Sequence, residues 1–404
     1  MKRSMVDKIF SDTSYIRTAG SENELRCARY LADRLAEMSI GSHFEDFSIT
    51  LYDTSEESLK ADGREIPCKA YGSDASAEVS GKLVYLGSAD ARSLKKCKDG
   101  IVLTERPITK KLYTALVENG AIGFIACTGN TAYADREIDR RMIRFPTDEM
   151  QNIPGVTVNV SDALWMLKND IKTVELSVRQ TKREARSYNL IADIEGETDE
   201  MIVISAHYDT TSLSIGAYDN MSSCIGLLCL AEYFKKNKPH RKIRLLWCSA
   251  EEIGLVGSRK YCEAHTAELE KTVLNINLDM LGSLMGEFVV FSCADTEMPE
   301  FIRRFLKKHR VAGEVRDAIR SSDSSAFVYA GIPAVSFARY APPSVAPIHT
   351  VYDGSYALGA RRLLDDMRII TEFAREISDT SDLSNLCRIG DKIRKDADDY
   401  MNRW

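Results

Sequence analysis

From about residue 188 onward the sequence alternates apolar strand-like runs with helix-like stretches, and three of the runs end beside a side chain that can bind metal. The run Met201-Ile202-Val203-Ile204-Ser205 leads directly into Ala206-His207-Tyr208-Asp209. An apolar run without polar alternation is what a parallel strand buried on both faces demands. Residues 222–236 read as an amphipathic to buried helix, and residues 242–248, 272–278 and 333–337 as further strands. Repeated strand-helix alternation predicts an α/β protein with a mixed, largely parallel central sheet covered by helices on both faces.

Sheets of this kind gather ligands outside the carboxyl ends of their strands. His207 lies past one run, Glu251 and Glu252 past a second, and Asp279 past a third. The segments Gly216-Ala217-Tyr218-Asp219-Asn220 and Ile348-His349-Thr350 add an aspartate and a histidine. Taken singly, each is as well explained by a turn, a helix cap or a surface charge. Taken together they supply two histidines, two aspartates and a glutamate as ligands, with one glutamate left over. That is the minimum set for a two-metal hydrolase with a general base. Imidazole and carboxylate without thiolate suit two Zn²⁺ ions, with Co²⁺ or Mn²⁺ as substitutes. In the expected chemistry a water bridging the metals attacks, and the remaining carboxylate takes its proton and passes it to the leaving amine. Asp209 is placed to accept the second N–H of the His207 imidazole.

The remainder of the chain sets limits. A length of 404 residues favours two domains. A net charge of −6 without a long basic cluster argues against nucleic-acid binding. No uncharged apolar run approaches the ~18 residues of a membrane span, and the stretch 1–8 lacks the apolar core of a signal peptide. Ten scattered cysteines without C-x-x-C spacing read as buried, reduced thiols. The resulting expectation is a cytoplasmic protein with no membrane partner. Residues 21–38 read as a helix with Ser21 as N-cap and Glu24 as its capping-box partner, followed by a strand at 44–52. Between about 55 and 180 short β-like runs (82–86, 100–103, 156–158) and one helix at 110–119 suggest a separate small module, and the charged end, 380–404, reads as helical.

The site motifs resemble the zinc exopeptidase family that contains aminopeptidase Y, glutamate carboxypeptidase and the transferrin receptor, metallopeptidase family 28. The opening segment Asn189-Leu190-Ile191-Ala192-Asp193-Ile194-Glu195-Gly196 is similar to the start of that family's catalytic core. The resemblance implies one zinc on His207 and Asp279, a second on Glu252 and His349, Asp219 bridging both, and Glu251 as general base. It implies a zinc exopeptidase fold for residues 1–55 and 181–404. Residues 56–180 resemble an inserted protease-associated domain, carried by Gly81-Lys82-Leu83-Val84-Tyr85-Leu86-Gly87, Asn119-Gly120-Ala121-Ile122-Gly123-Phe124-Ile125 and Ile153-Pro154-Gly155-Val156. Where many relatives have Ser-Asp-His, this chain has Ser322-Asp323-Ser324, which implies an altered substrate pocket. The implied activity is removal of N-terminal residues from peptides with a free N-terminus. A carboxypeptidase or dipeptidase on the same site is the nearest alternative, with Arg339 and Tyr340 as pocket residues beside Asp323. Glutaminyl cyclisation and a non-catalytic, receptor-like binding module are more distant ones.

Overall fold

The computed structural model describes residues 1–147, 150–294 and 297–402. The chain forms two compact units, one of residues 1–48 and 186–401, the other centred on Ile49–Ala185. The passage from one to the other falls inside two long strands, His43–Ala61 and Thr173–Ile194. The first runs much further than the expected 44–52, the second is absent from the expected set, and opposite charges face each other along them. Asp46 pairs with Arg186, Asp53 with Arg183 and Glu56 with Arg179. A charged strand of this type has no apolar alternation to reveal it in the sequence.

In the first unit the strands lie in the order Glu314–Asp317, Glu287–Cys293, Ala334–Tyr340, Thr272–Leu278, Thr198–His207, Arg241–Cys248 and the end of Thr173–Ile194. Four of them, Ala334–Tyr340 to Arg241–Cys248, are parallel neighbours. The flanking strands Glu287–Cys293 and Thr173–Ile194 pair with this block antiparallel. This is the mixed, largely parallel sheet that the apolar runs predict. Glu287–Cys293 is absent from the expected set, and it extends its neighbour from the expected 333–337 to Tyr340.

Both faces of the sheet are covered. Ile202, Ile204, Ala206, Ile243, Leu245 and Trp247 pack with Leu31, Ile225, Leu228 and Phe373, which come from three helices, Glu22–Glu37, Ser222–Lys236 and Ala360–Asp379. On the opposite face Val203, Leu246 and Cys248 pack with Tyr261 and Phe327. Alternate residues of one strand thus enter two different cores, so no residue of the run can be polar without a partner. Of the expected 380–404, Asp391–Met401 forms the terminal helix, which buries Ile393 and Ala397 against Cys293 and Val328; 403 and 404 lie outside the described residues.

In the second unit the start of Thr173–Ile194 pairs with Ala77–Tyr85, followed by Gly100–Thr104, Gly123–Thr128, Gly155–Asn159 and Cys68–Ala70. One face holds Ile101, Ile125, Val156 and Leu176; the other holds Val102, Phe124, Tyr113 and Leu116. All ten cysteines are free. Among the described residues no helix is long and apolar enough to cross a membrane.

The helix Glu22–Glu37 begins with Ser21 accepting from the Glu24 N–H at 3.1 Å. The Glu24 carboxylate accepts from the Gly20 N–H at 2.7 Å, whereas the Ser21 N–H bonds the Thr18 carbonyl. The expected capping box is therefore displaced by one residue. The displacement frees the other Glu24 oxygen to accept from the hydroxyls of Ser187 and Ser249. Burial pushes the Glu24 carboxyl up to about 8; the Ser187 bond opposes this and the charge of Asp209 adds to it. The folded state thus holds the proton more tightly than the unfolded chain, so stability falls as pH rises from about 4.3 to about 8. Removing the titration with Glu24→Gln should take out this residue's share of the slope, worth roughly 3–5 kcal/mol across the window, and leave the shares of the other raised carboxyls. Thermal unfolding of both proteins from pH 5 to 9 checks it, and parallel curves would remove Glu24 as the source.

Candidate metal centre

The parallel strands end at one edge of the first unit's sheet. His207 closes Thr198–His207, level with Cys248 of the neighbouring strand, beyond which come Glu251 and Glu252. Asp279 follows Leu278, which is level with Phe337. Asp219 arrives on the turn Ala217–Met221, and His349 on the segment after Ala334–Tyr340.

Two groups of potential ligands result, His207 with Asp219 and Asp279, and Asp219 with Glu252 and His349. Asp219 belongs to both. Its Oδ1 lies 3.1 Å from His207 Nε2 and its Oδ2 lies 3.2 Å from His349 Nε2. His349 Nε2 is also 3.1 Å from Glu252, and His207 Nε2 is 3.9 Å from Asp279 Oδ1. All five residues named as ligands in the sequence meet here, and each group offers one imidazole nitrogen and two carboxylate oxygens.

The electrostatics favour a cation. Burial pushes Glu251 well above the usual carboxylate range; His207 opposes this, and Glu252, Asp323 and Asp279 add to it. Glu252 is likewise raised by burial. Asp219 is held low despite its burial, by bonds and charge from His207 and His349. Both imidazoles are raised well above the normal histidine value, against the effect of burial, by the surrounding carboxylates. A divalent ion would supply the positive charge that these carboxylates draw from the imidazoles. Asp279 Oδ1 is buried without a hydrogen bond among the described residues. An unpaired buried carboxylate oxygen beside an imidazole nitrogen fits the role of a metal ligand.

The supporting shell was only partly foreseen. Asp209 does not hydrogen-bond the His207 ring, since the closest approach to Nδ1 is 3.6 Å. Its two oxygens accept instead from the backbone N–H groups of Glu251 at 3.1 Å and Glu252 at 3.2 Å. Those bonds occupy the carboxylate and fix the start of both glutamates. Asp353 does the same for Asp219, accepting from the N–H groups of Tyr218 and Asp219, and burial pushes its carboxyl up to about 7. The Asn220 amide donates to the Leu278 carbonyl and accepts from the Met280 N–H, both at 3.0 Å, so Asp279 sits between two bonds from the residue after Asp219.

Arg17, unmarked in the sequence, is fully buried and pairs with no carboxylate among the described residues. Its guanidinium donates to the carbonyls of Thr13, Tyr15, Tyr208, Ile215 and Gly216. It therefore anchors the loop joining His207 to Asp219. Gly216 within that loop has φ +54°, and a Cβ there would lie 2.4 Å from Thr210 and 2.5 Å from the Asp219 carbonyl. Nothing in the local sequence of Arg17 signals this, because its partners are all backbone atoms.

The expected pocket residues are placed differently. Asp323 and Ser324 are both fully buried, so neither can line an open pocket. Burial pushes the Asp323 carboxyl up to about 6, with His207 opposing. Arg339 grips Asp366 with contacts of 2.6–3.0 Å and donates to the Gly286 carbonyl at 3.0 Å. Asp366 in turn accepts from the Gly282 N–H. Arg339 thus clamps the loop that follows Asp279, which deprives the carboxypeptidase alternative of its proposed cation. Tyr340 is half-buried, with the Arg320 guanidinium 4.9 Å above its ring.

This arrangement, a doubly flanked parallel sheet with two ligand groups sharing one aspartate at its carboxyl edge, defines a class of metal-dependent hydrolase sites. Residues 189–373 match the model of peptidase family M28. The chain is 24% identical over 314 residues to a probable leucine aminopeptidase 2 of Arthroderma benhamiae, covering 71% of this chain and 61% of that protein. It is 22% identical over 290 residues to aminopeptidase YwaD of Bacillus subtilis, covering 66% of this chain and 58% of that one. The chain thus spans about 61% of the length of the first of these curated relatives. Among solved structures, the zinc aminopeptidase BSAP from Bacillus subtilis superposes with a TM-score of 0.77 at 22% identity, covering 97% of this chain and 98% of that one. An aminopeptidase from Aneurinibacillus sp. strain AM-1 gives 0.73 at 22% identity, covering 96% and 95%. These likenesses establish the fold.

Replacing Arg17 with Met would leave several buried carbonyls unsatisfied. We expect a loss of about 3 kcal/mol or more, with faster amide exchange concentrated in residues 208–219. Hydrogen exchange read segment by segment checks this, and uniform acceleration over the whole first unit would contradict the local anchoring role.

Proposed function

We propose that the protein is a zinc-dependent exopeptidase that removes N-terminal residues from peptides. The observation that carries this reading is Asp219, whose two oxygens each face a separate histidine. A carboxylate shared in this way serves two ions, and the names of the relatives support zinc and an aminopeptidase activity. His207, Asp219 and Asp279 would hold one ion, and Asp219, Glu252 and His349 the other. Zinc at such a site supplies Lewis acidity and a water acidic enough to lose its proton near neutral pH.

Glu251 is the proposed general base. It adjoins the proposed ligand Glu252 in sequence and its charge is felt strongly by His207. Its raised proton affinity suits a group that must take a proton from water and return it to the leaving amine. Asp209 accepts from its backbone N–H, which fixes where the residue enters the site. The unit Ile49–Ala185 is proposed as a protease-associated type of module without chemistry of its own. In support, both potential ligand groups found among the described residues lie in the other unit. A receptor-like, non-catalytic reading fits poorly with two complete ligand groups and a retained Glu251.

The direct test is hydrolysis of a leucyl peptide and its N-acetylated twin, with chelator and after re-addition of zinc. Cleavage of the free peptide alone, lost with chelator and regained with zinc, is the expected result. Cleavage of the acetylated twin at its C-terminal end would overturn the aminopeptidase assignment. Glu251→Gln should retain metal and fold yet lower kcat by about 10²–10⁴-fold. Comparable turnover in that variant would show that Glu251 is not the base.

A further inference from the structure

Asp219 and Asp279 meet the cluster in different ways. Asp219 gives one oxygen to each histidine, whereas Asp279 has one oxygen withdrawn from the site. Its Oδ2 lies 2.9 Å from Arg320 Nη2 and accepts from Ser322 Oγ at 2.8 Å. Arg320 Nη1 donates to the Asp279 backbone carbonyl at 3.2 Å, so the guanidinium holds side chain and main chain of this residue together. Only Oδ1 is left, buried, without a hydrogen bond among the described residues, and 3.9 Å from His207 Nε2.

Arg320 is itself immobilised. It is 5% exposed and sits over the rings of Tyr340, at 4.9 Å, and Phe291, at 5.6 Å. A planar guanidinium packed on aromatic faces and donating in two directions loses little further freedom in holding its acceptors. A lysine ammonium at the same place would carry the charge without the fixed pair of donors.

Resting on the two-metal reading above, we propose that Arg320 is a positioning residue for one of the two metal positions. It turns Asp279 so that a single oxygen, Oδ1, faces His207 and Asp219. The ion held by His207, Asp219 and Asp279 then depends on Arg320, and the ion held by Asp219, Glu252 and His349 does not. Two effects oppose each other here. The guanidinium draws charge from the ligand and repels a nearby dication, which weakens binding. It also holds a buried carboxylate in the one orientation that serves the site, which strengthens binding. The second prevails on this geometry, because Oδ1 has no hydrogen bond among the described residues, so its direction is set through Oδ2, which Arg320 holds together with Ser322, and because partners behind a ligand typically contribute about 10–100-fold in metal affinity.

The experiment is titration of metal-free protein with Co²⁺ and with Zn²⁺, followed by calorimetry and, for Co²⁺, by visible absorption. His207→Gln and His349→Gln identify which binding step belongs to which group. Arg320→Met should weaken the step that His207→Gln removes by about 10–100-fold and leave the other step unchanged. Arg320→Lys, which keeps charge and bulk and tests the idea should Arg320→Met fold poorly, should show a smaller loss at the same step. Equal weakening of both steps, unchanged affinities, or tighter binding in Arg320→Met would overturn the proposal, as would wild-type affinities in Arg320→Lys. A wild-type protein that takes up no metal would instead overturn the two-metal reading itself.

Discussion

Asp219 shares its carboxylate between His207 and His349, and three further acidic side chains, Glu251, Glu252 and Asp279, crowd the same edge of the sheet. Buried carboxylates so close together repel each other and lose their hydration, and each effect alone raises the cost of ionisation. The fold has no apolar means of relieving this. Relief comes from the two imidazoles, from Arg320 on Asp279, or from a metal. Much of what surrounds the site can be read as a response to that concentration of charge.

The support around the site is built mostly on backbone atoms. Asp209 and Asp353 accept N–H groups from the very residues that carry Glu251, Glu252 and Asp219. Asn220 bonds on both sides of Asp279. Arg17 reaches five carbonyls, three of them in the segment between His207 and Asp219. Side-chain to backbone bonds of this type fix where each chain segment runs, which positions ligands more rigidly than side-chain to side-chain pairs could. Ala250, Met280 and His349, at or beside the site, adopt left-handed backbone conformations although none is glycine. Such conformations persist only where the surroundings over-determine them.

How much of this was legible depended on the kind of signal. The parallel strands were, because a run such as 201–205 buried on both faces cannot be anything polar. The cluster of imidazoles and carboxylates was, because such side chains after successive strands form a joint pattern too improbable for chance. The long paired strands His43–Ala61 and Thr173–Ile194 were legible only in part, since cross-strand charges leave no hydrophobic period. Glu287–Cys293 was missed although its run of Phe, Val, Val and Phe was there to be found. Arg17, Asp353 and Arg320 left no trace, because a residue that serves backbone atoms or a ligand far away in sequence has no local motif.

The same distinction explains the misplaced residues. Asp209 and Arg339 were assigned partners by proximity, one to the nearest imidazole and the other to the open cleft. In the fold each meets a stronger claim, Asp209 from two N–H donors and Arg339 from a buried carboxylate that also holds Gly282. A charged side chain near a site goes to whichever partner is buried with it, since desolvation makes an unmet buried group costlier than a lost surface contact. By that criterion Arg320, buried and bonded to the far oxygen of Asp279, belongs to the centre more firmly than Arg339, although Arg339 lies in one of the parallel strands and Arg320 in no strand at all.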